Sequence, residues 1–182
     1  MKYIYAVIGA GRQGTSAAYD MAKFGEAEEL FIGDKNLKSA QKSAERINKL
    51  LNIDIVQAKK MDVRKSSSLI KFLKNVDSCV SAVPYYFNLK ISKAALTSKA
   101  SICDLGGNTD IVKAQLKLDS EAKEKGISII PDCGQVPGMG TTLCVYAMSL
   151  LDKPSEIYMW DGGLAQNPRP PFNYFLTFNI EG

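Results

Sequence analysis

The stretch YIYAVIGAGRQGTSAAYDMAKFG, residues 3–25, places Gly9, Gly11 and Gly14 between an apolar run and a helical run. Glycine inside regular structure costs roughly 0.5–1 kcal/mol relative to alanine, so this cluster indicates a backbone that side chains would obstruct. The spacing G-x-G-x-x-G, after a strand and before a helix, predicts a dinucleotide-binding unit. In such a unit Gly9 allows the turn, Gly11 leaves room for a diphosphate, and Gly14 lets the helix lie close to the strand.

The same unit predicts the groups that hold the rest of the cofactor. The free N–H groups near Arg12 and Gln13 would face the diphosphate at the positive end of the helix dipole. Asp34 follows the last glycine by twenty residues and ends the second apolar run. Its carboxylate can accept hydrogen bonds from both ribose hydroxyls and would repel a 2′-phosphate, which favours NAD. Lys35 and Lys38 leave NADP open, and Asp34 could also cap the next helix.

Short apolar runs alternate with helical patterns along the first 151 residues. The expected strands are Tyr3–Ile8, Glu29–Gly33, Asp54–Lys59, Ser78–Ala82, Ser101–Asp104 and Ser128–Pro131. The expected helices are Arg12–Phe24, Leu37–Leu51, Ser66–Lys74, Phe87–Ser98, Asp110–Lys125 and Met139–Leu151, with N-caps at Asn88 and Asp110 and ends at Gly25 and Gly126. This alternation predicts an α/β fold: a doubly wound, six-stranded parallel Rossmann sheet in the order 3-2-1-4-5-6.

The segments that follow the third and fourth strands should border the cofactor, because ligands of such sheets bind at the carboxyl ends of the strands. Asp62 and Val63 are expected near the adenine, although a plain turn at the start of a helix explains Asp62 equally well. Residues 82–84, which are Ala82, Val83 and Pro84, follow the fourth strand at the topological switch point. Tyr85 and Tyr86 either line the nicotinamide side or pack.

A second glycine-rich loop, IIPDCGQVPGMGTTL, leaves the sixth strand and opens a helix near Met139. It is expected to face the nicotinamide and the substrate, or else to be a plain loop. The candidate substrate-binding residues in this region are Gly134 and Gly138 of the loop and Asp104 and Asn108 of the neighbouring stretch CDLGGN. The chain has no histidine, so the candidate acid/base residues are Asp132 first and Tyr85 second. A purely structural role for Asp132 stays open.

Composition limits the classes of function. The charge of +4 is spread along the chain, and its densest basic stretch, residues 35–49, has apolar residues at helical spacing, so we expect a solvated helix face and no nucleic-acid partner. No apolar run approaches the ~18 residues that span a bilayer, and no signal peptide is evident, which predicts a cytoplasmic protein without a membrane partner. The four cysteines form no Cys-x-x-Cys pair, so we expect reduced thiols and no metal.

Five stretches together resemble the saccharopine dehydrogenase superfamily, most closely its lysine 6-dehydrogenase-like branch. The five stretches are VIGAGRQG, SAVPYYFN, CDLGGNTDIV, IIPDCGQVPGMG and GGLAQNPRPPFNY. The resemblance covers nearly the whole chain in order, and the last three stretches are the most specific to the family. It implies a Rossmann domain followed by an α/β domain that completes the substrate cleft, usually in a homodimer. It also implies oxidation of an amine carbon of an amino-acid substrate, most directly oxidative deamination of L-lysine at the 6-position with NAD.

The alternatives are a saccharopine or carboxynorspermidine dehydrogenase/reductase, and a non-catalytic NAD-binding sensor module. The expected cofactor domain covers residues 1–152, and residues 153–182 are expected to begin an incomplete substrate and dimerisation domain. Strands are predicted there at Glu156–Trp160 and Asn173–Ile180. Since members of the family continue through a complete second domain, we expect this chain to supply mainly the cofactor site. An unpaired second strand would favour association.

Overall fold

A computed structural model of the chain describes residues 2–163, 165–171 and 173. The predicted fold is confirmed: six parallel strands form one sheet in the order β3-β2-β1-β4-β5-β6. The strands are β1 (Tyr3–Ile8), β2 (Ala27–Asp34), β3 (Val56–Lys60), β4 (Ser78–Ser81), β5 (Ser101–Asp104) and β6 (Ile129–Ile130). The α-helices are α1 (Arg12–Phe24), α2 (Leu37–Leu51), α3 (Ser66–Phe72), α4 (Asn88–Ser98), α5 (Thr109–Leu116), α6 (Asp119–Lys125) and α7 (Met139–Ser149), and a short 3-10 helix, Tyr85–Phe87, precedes α4.

Both faces of the sheet are buried at its central strand β1, as the near-continuous apolar run of that strand requires. Alternate residues of β1 point to opposite faces: Ala6 and Ile8 belong to one buried cluster, and Val7 belongs to the other. Helices α1 and α2 cover the face of Val7, whereas α3 and α4 cover the face of Ile8. The helices between β1 and β5 therefore pack back onto the sheet, and the loops that leave the strands meet at one edge.

Helix α2 shows why its lysines are solvated. Ala40, Ala44 and Ile47 are buried at three- and four-residue spacing, while Lys42 and Lys49 on the other sides of the helix are exposed. An amphipathic helix of this kind gains its stability from the buried stripe, so its basic residues are left on the surface. The helix face predicted from the sequence is confirmed.

Four details of the sequence prediction are wrong. Asn88 is the first residue of α4 rather than its N-cap, because its buried side chain accepts a hydrogen bond from the hydroxyl of Ser81 at 2.8 Å. Asn108 rather than Asp110 caps α5, and its Oδ1 accepts the N–H groups of Asp110 and Ile111 at 3.1 Å each. The single helix expected over 110–125 is two helices, since α5 ends at Leu116 and α6 begins at Asp119. Helix ends at Gly25 and Gly126 are confirmed.

The fourth wrong detail lies in the C-terminal part of the chain. The strand expected at Glu156–Trp160 is not formed: these residues have no regular secondary structure, and Trp160 is 85% exposed. Propensity alone does not make a strand where no neighbouring edge pairs with it. The other strand, expected at Asn173–Ile180, lies outside the described residues apart from Asn173. Over the parts of the chain that the structure describes, no helix is long and apolar enough to cross a bilayer.

Candidate functional site

The glycine loop joins β1 to α1 with very little free space around two of its three glycines. Gly9 has a φ of +104°, and a Cβ added there would lie 2.7 Å from the carbonyl oxygen of Ala82. A methyl group on Gly14 would overlap the carbonyl oxygen of Gly9, so this glycine brings the helix against the turn. A Cβ on Gly11 would meet no atom within 4 Å. Gly11 therefore leaves an open space that none of the described residues fills.

The carboxylate of Asp34 connects the end of β2 to this loop. Its Oδ2 accepts the N–H of Ala10 at 2.9 Å, and its Oδ1 accepts the N–H of Asn36 at 2.8 Å. Asn36, not Asp34, is the N-cap of α2, and its Oδ1 accepts the N–H of Lys38. Each carboxylate oxygen has two acceptor positions, so Asp34 can fix the loop and still accept hydroxyl protons.

A cavity of about 470 Å³ lies at the carboxyl ends of β1, β2, β3 and β4. Most of the residues predicted to bind the cofactor line it: Gly9, Gly11, Asp34, Asp62, Val63, Ala82, Val83 and Pro84. The sheet explains why these distant residues meet, since parallel neighbouring strands bring their following loops to one edge. The structure thus places one continuous cavity between the glycine loop and the switch point.

Asp62 and Arg64 form a pair at the wall of this cavity. Arg64 Nε donates to Asp62 Oδ1 at 2.9 Å, and Arg64 Nη2 donates to Asp62 Oδ2 at 2.8 Å. The hydrogen bonds from Arg64 hold the pKa of the Asp62 carboxyl well below its usual range. The pair holds the planar guanidinium in one orientation, as a two-point contact does.

Three predicted cofactor residues stand apart from this cavity. Arg12 lines a neighbouring groove between α1 and α2, whereas Gln13 and Gly14 lie with Arg12 in the first turn of α1. Within the described ranges, no side chain caps this helix at Gly11. Its first N–H groups are left for other acceptors, as a helix N-terminus leaves them.

The two candidate acid/base residues lie on either side of a glycine pair. A Cβ on Gly106 would collide with the carboxylate of Asp132, and a Cβ on Gly107 would come within 3.1 Å of Cβ of Tyr85. Asp132 itself has a φ of +61°. Tyr85 packs on this loop, whereas Tyr86 lines the cofactor cavity. Both residues therefore contact the glycine pair of the loop that follows β5, and neither lines the cofactor cavity.

Asp104 was predicted to bind substrate, but the structure gives it a different environment. It is 1% exposed, and its Oδ1 accepts the N–H groups of Gly106 at 2.8 Å and Asp132 at 3.3 Å. Its Oδ2 accepts the side-chain amide of Gln115 at 2.6 Å, and the same amide donates to Ser92. A buried carboxylate bonded in this way holds the two loops together.

The other substrate-binding candidates also have structural partners. Asn108 is occupied as the cap of α5. Gly134 and Gly138 form a bridge across a compact turn, where the carbonyl oxygen of Gly134 accepts the N–H of Met139 at 2.9 Å. None of these three residues lines the cofactor cavity.

Sequence reasoning missed Arg64 and Phe87 of this site, whereas it had considered Lys35 for NADP binding and Tyr86 for the nicotinamide side. Lys35, Arg64, Tyr86 and Phe87 all line the cavity. The signal for Arg64 was its position two residues after Asp62, since an acid and a base at that spacing in a turn can pair. Gln115 carried no such signal, because the sequence does not reveal that a helical glutamine faces a buried aspartate.

A glycine loop that opens a helix, an acidic residue at the end of the second strand and a cavity over the switch point define a Rossmann dinucleotide-binding domain. The family model of the saccharopine dehydrogenase NADP-binding domain matches residues 5–130, more than half of the chain. The chain belongs to this family, and its cofactor is a nicotinamide dinucleotide.

Individual relatives agree with this assignment. The saccharopine dehydrogenase (NADP(+), L-glutamate-forming) of Saccharomyces cerevisiae is 27% identical over 131 residues, which are 67% of this chain and 28% of the yeast protein. The solved apo structure of the L-Glu-forming yeast enzyme matches 81% of this chain and 31% of its own, with a TM-score of 0.64 and 21% identity. A quinate dehydrogenase from Corynebacterium glutamicum, in complex with NAD, matches 71% of this chain and 44% of its own with a TM-score of 0.52 and 18% identity. The chain thus spans under a third of the saccharopine dehydrogenases it resembles.

Proposed function

We propose that this chain is the cofactor-binding part of an amine-oxidising dehydrogenase, and that its reaction is oxidation of L-lysine at the 6-position with NAD. The observation that carries the proposal is the single cavity that joins the glycine loop, Asp34 and the switch-point loop. The resemblance of the loops after β5 and β6 to the lysine branch supports the substrate. The family match and the yeast relative support the alternative substrate, saccharopine.

In the proposed complex the diphosphate lies over Gly11, where no side chain intrudes. The N–H groups of the first turn of α1 would bind it. Asp34 would accept the ribose hydroxyls, and the Asp62–Arg64 pair would border the adenine. A planar guanidinium that a carboxylate holds in one orientation is well suited to stacking on a planar base. NAD is the preferred cofactor in this proposal, since Asp34 would repel a 2′-phosphate.

Asp132 is the proposed acid/base group, with Tyr85 second. When bound, the nicotinamide supplies the hydride acceptor. Asp132 would hold the substrate ammonium by a charge-assisted hydrogen bond and then take its proton. Asp104 would act as a positioning residue, because its Oδ1 holds the backbone N–H of Asp132 at 3.3 Å. Asp132 would thus be fixed through its backbone while its side chain stays available.

The amino-acid substrate needs more surface than the described residues offer, and helix α7 supports an interface there. Of its eleven residues only Gly140 is buried, whereas Leu143, Val145 and Tyr146 are each more than half exposed. Exposed apolar surface of this extent marks an interaction face. We propose that a substrate and dimerisation domain begins at residue 153, that it covers α7, and that the working protein is a cytoplasmic homodimer.

The decisive experiment follows NADH formation by absorbance with purified full-length protein, which includes the proposed substrate domain, together with NAD and either L-lysine or saccharopine. Turnover of L-lysine supports the proposal, and turnover of saccharopine alone selects the alternative. NADH binding without turnover of either substrate would identify a non-catalytic module. Asp132→Asn should leave NADH affinity nearly unchanged and lower turnover by ~10²-fold, the scale of a lost general base. A decrease of less than about threefold would make Asp132 structural.

A further inference from the structure

A second concave site lies between α1 and α2, outside the cofactor cavity. It has a volume of about 480 Å³ and meets the cofactor cavity at Gly11, which lines both. Its cationic side chains are Arg12 from α1 and Lys42 and Arg46 from α2. Among the residues that line this groove there is no carboxylate. The groove therefore concentrates positive charge on one side of the glycine loop.

These cations have no ion-pair partner in the part of the chain that the structure describes. Neither Arg12, Lys42 nor Arg46 takes part in an ion pair with any residue that the structure describes. Lys42 and Arg46 are four residues apart and so lie on one face of α2. Three unpaired cations that face one cavity repel each other, and an anion between them relieves that repulsion.

Hydroxyl groups are present in the same groove. Thr15 Oγ1 and Ser43 Oγ are 2.9 Å apart, and Ser43 is only 7% exposed. Only one proton is needed between two hydroxyls, so the acceptor of this pair keeps its own proton for a further bond. Buried Ile47 and half-buried Tyr19 form the apolar part of the lining. Two guanidinium groups, one ammonium and a hydroxyl donor suit the geometry and charge of a phosphate group.

We propose that the α1–α2 groove is a phosphate-binding site that receives a phosphate monoester dianion. The phosphate has two possible sources: the 2′-phosphate of NADP, or a separate phosphorylated small molecule bound beside NAD. Asp34 is bonded to the N–H of Ala10, which also lines the groove, so a 2′-phosphate there would lie close to a carboxylate. Binding of the phosphate from either source would depend on Lys42 and Arg46, which lie outside the cofactor cavity.

The test is calorimetric titration of inorganic phosphate into protein saturated with NADH, which keeps phosphate off the glycine loop. The variants are Lys42→Gln and Arg46→Gln, and the matched control is Lys49→Gln, an exposed cation of the same helix outside the groove. Phosphate affinity should fall at least tenfold in each groove variant and less than twofold in the control. Equal affinity in all four proteins, or phosphate binding as weak as simple ionic screening gives, would overturn the proposal.

A parallel titration with NADPH identifies the source of the phosphate. If the groove variants weaken NADPH binding tenfold and leave NADH binding unchanged, the groove holds the 2′-phosphate. If inorganic phosphate binds equally well to NADH-saturated and NADPH-saturated protein, the ligand is a separate molecule. Should the protein bind neither dinucleotide, the proposed function fails, and the phosphate titration of the variants without cofactor still decides the groove.

Discussion

Gly11 and Gly14 lie three residues apart in one loop, yet an added side chain should affect binding at the first and stability at the second. A Cβ at Gly11 meets nothing within 4 Å, and its φ of −75° and ψ of −170° suit a β-branched residue. Gly11→Val should therefore change the free energy of unfolding by less than about 1 kcal/mol, since the loss at the N-cap is offset by a less flexible unfolded chain.

The same valine would occupy the space assigned to the diphosphate. Displacing a phosphate from two helix N–H groups removes two charge-assisted hydrogen bonds, or about 3–6 kcal/mol. The affinity for NADH and NADPH alike should fall by roughly 10²–10⁴-fold.

Gly14→Ala is the contrasting variant. Its methyl group would overlap the carbonyl oxygen of Gly9 and approach the carbonyl carbon to 3.0 Å. Forcing helix and turn apart should cost about 1–3 kcal/mol, the usual range for overpacking. For a domain of this size that lowers the melting temperature by roughly 2–12 °C.

Two measurements on each variant separate these effects: a thermal melt and a fluorescence titration with NADH. Gly11→Val should melt like the unmodified protein and fail to bind, and Gly14→Ala should melt earlier. If Gly11→Val melts normally and binds NADH with unchanged affinity, the diphosphate does not lie over Gly11 and our placement of the cofactor is wrong.

Three further predictions concern single side chains. Asp34→Ala should weaken NAD far more than NADP in parallel titrations, because only NAD offers both ribose hydroxyls to this carboxylate; tighter NADP than NAD binding in the unmodified protein would contradict our assignment of Asp34. Burial raises the pKa of the Cys103 thiol from 9.0 to about 11. Between about pH 9 and pH 11 the thiol keeps its proton in the folded protein and loses it in the unfolded chain. The free energy of unfolding therefore has its full value below about pH 9 and falls by up to roughly 3 kcal/mol by pH 11. Urea unfolding of Cys103→Ala should show a shallower alkaline loss, and an equally steep one would refute the role of this thiol. Asn108→Ala should lower the free energy of unfolding by about 1 kcal/mol through loss of the α5 cap, with NADH affinity unchanged. A large loss of NADH affinity would show that Asn108 contributes to ligand binding as well as to the cap.

The sequence predicted the strand order and most of the cofactor cavity because both depend on local signals. Glycine spacing, apolar runs and the position of Asp34 are visible along the chain, and the rule that parallel strands deliver their loops to one edge converts them into a site. The ends of the strands were predicted less accurately: β2 begins at Ala27, two residues earlier than expected, and β6 is only Ile129–Ile130.

The polar network behind the candidate acid/base loop could not have been predicted in this way. Asp104 and Asn108 look alike in sequence, as polar residues near the carboxyl end of one strand, but Asp104 is buried against Gln115 and Asn108 caps a helix. That difference depends on which helix face packs over the end of β5, and a single sequence does not encode it as a local pattern. The strand expected at Glu156–Trp160 failed for a related reason, since a strand needs a partner edge as well as suitable residues.

The hydrogen bond from the N–H of Ala10 to Asp34 has a consequence for anyone who tries to redesign the cofactor preference. The usual exchange, in which the acidic residue is replaced by a small or basic one, would also release the glycine loop from the end of β2. The cofactor preference and the geometry of the glycine loop would then change together. Weak NADP binding by such a variant would not show that the new charge fails to attract the 2′-phosphate. A conservative redesign would keep Asp34 itself, because asparagine has one acceptor oxygen for the two N–H groups that Asp34 binds, and would place the new positive charge elsewhere. The preference between NAD and NADP in this domain is therefore best altered at residues around the site, with Asp34 left in place.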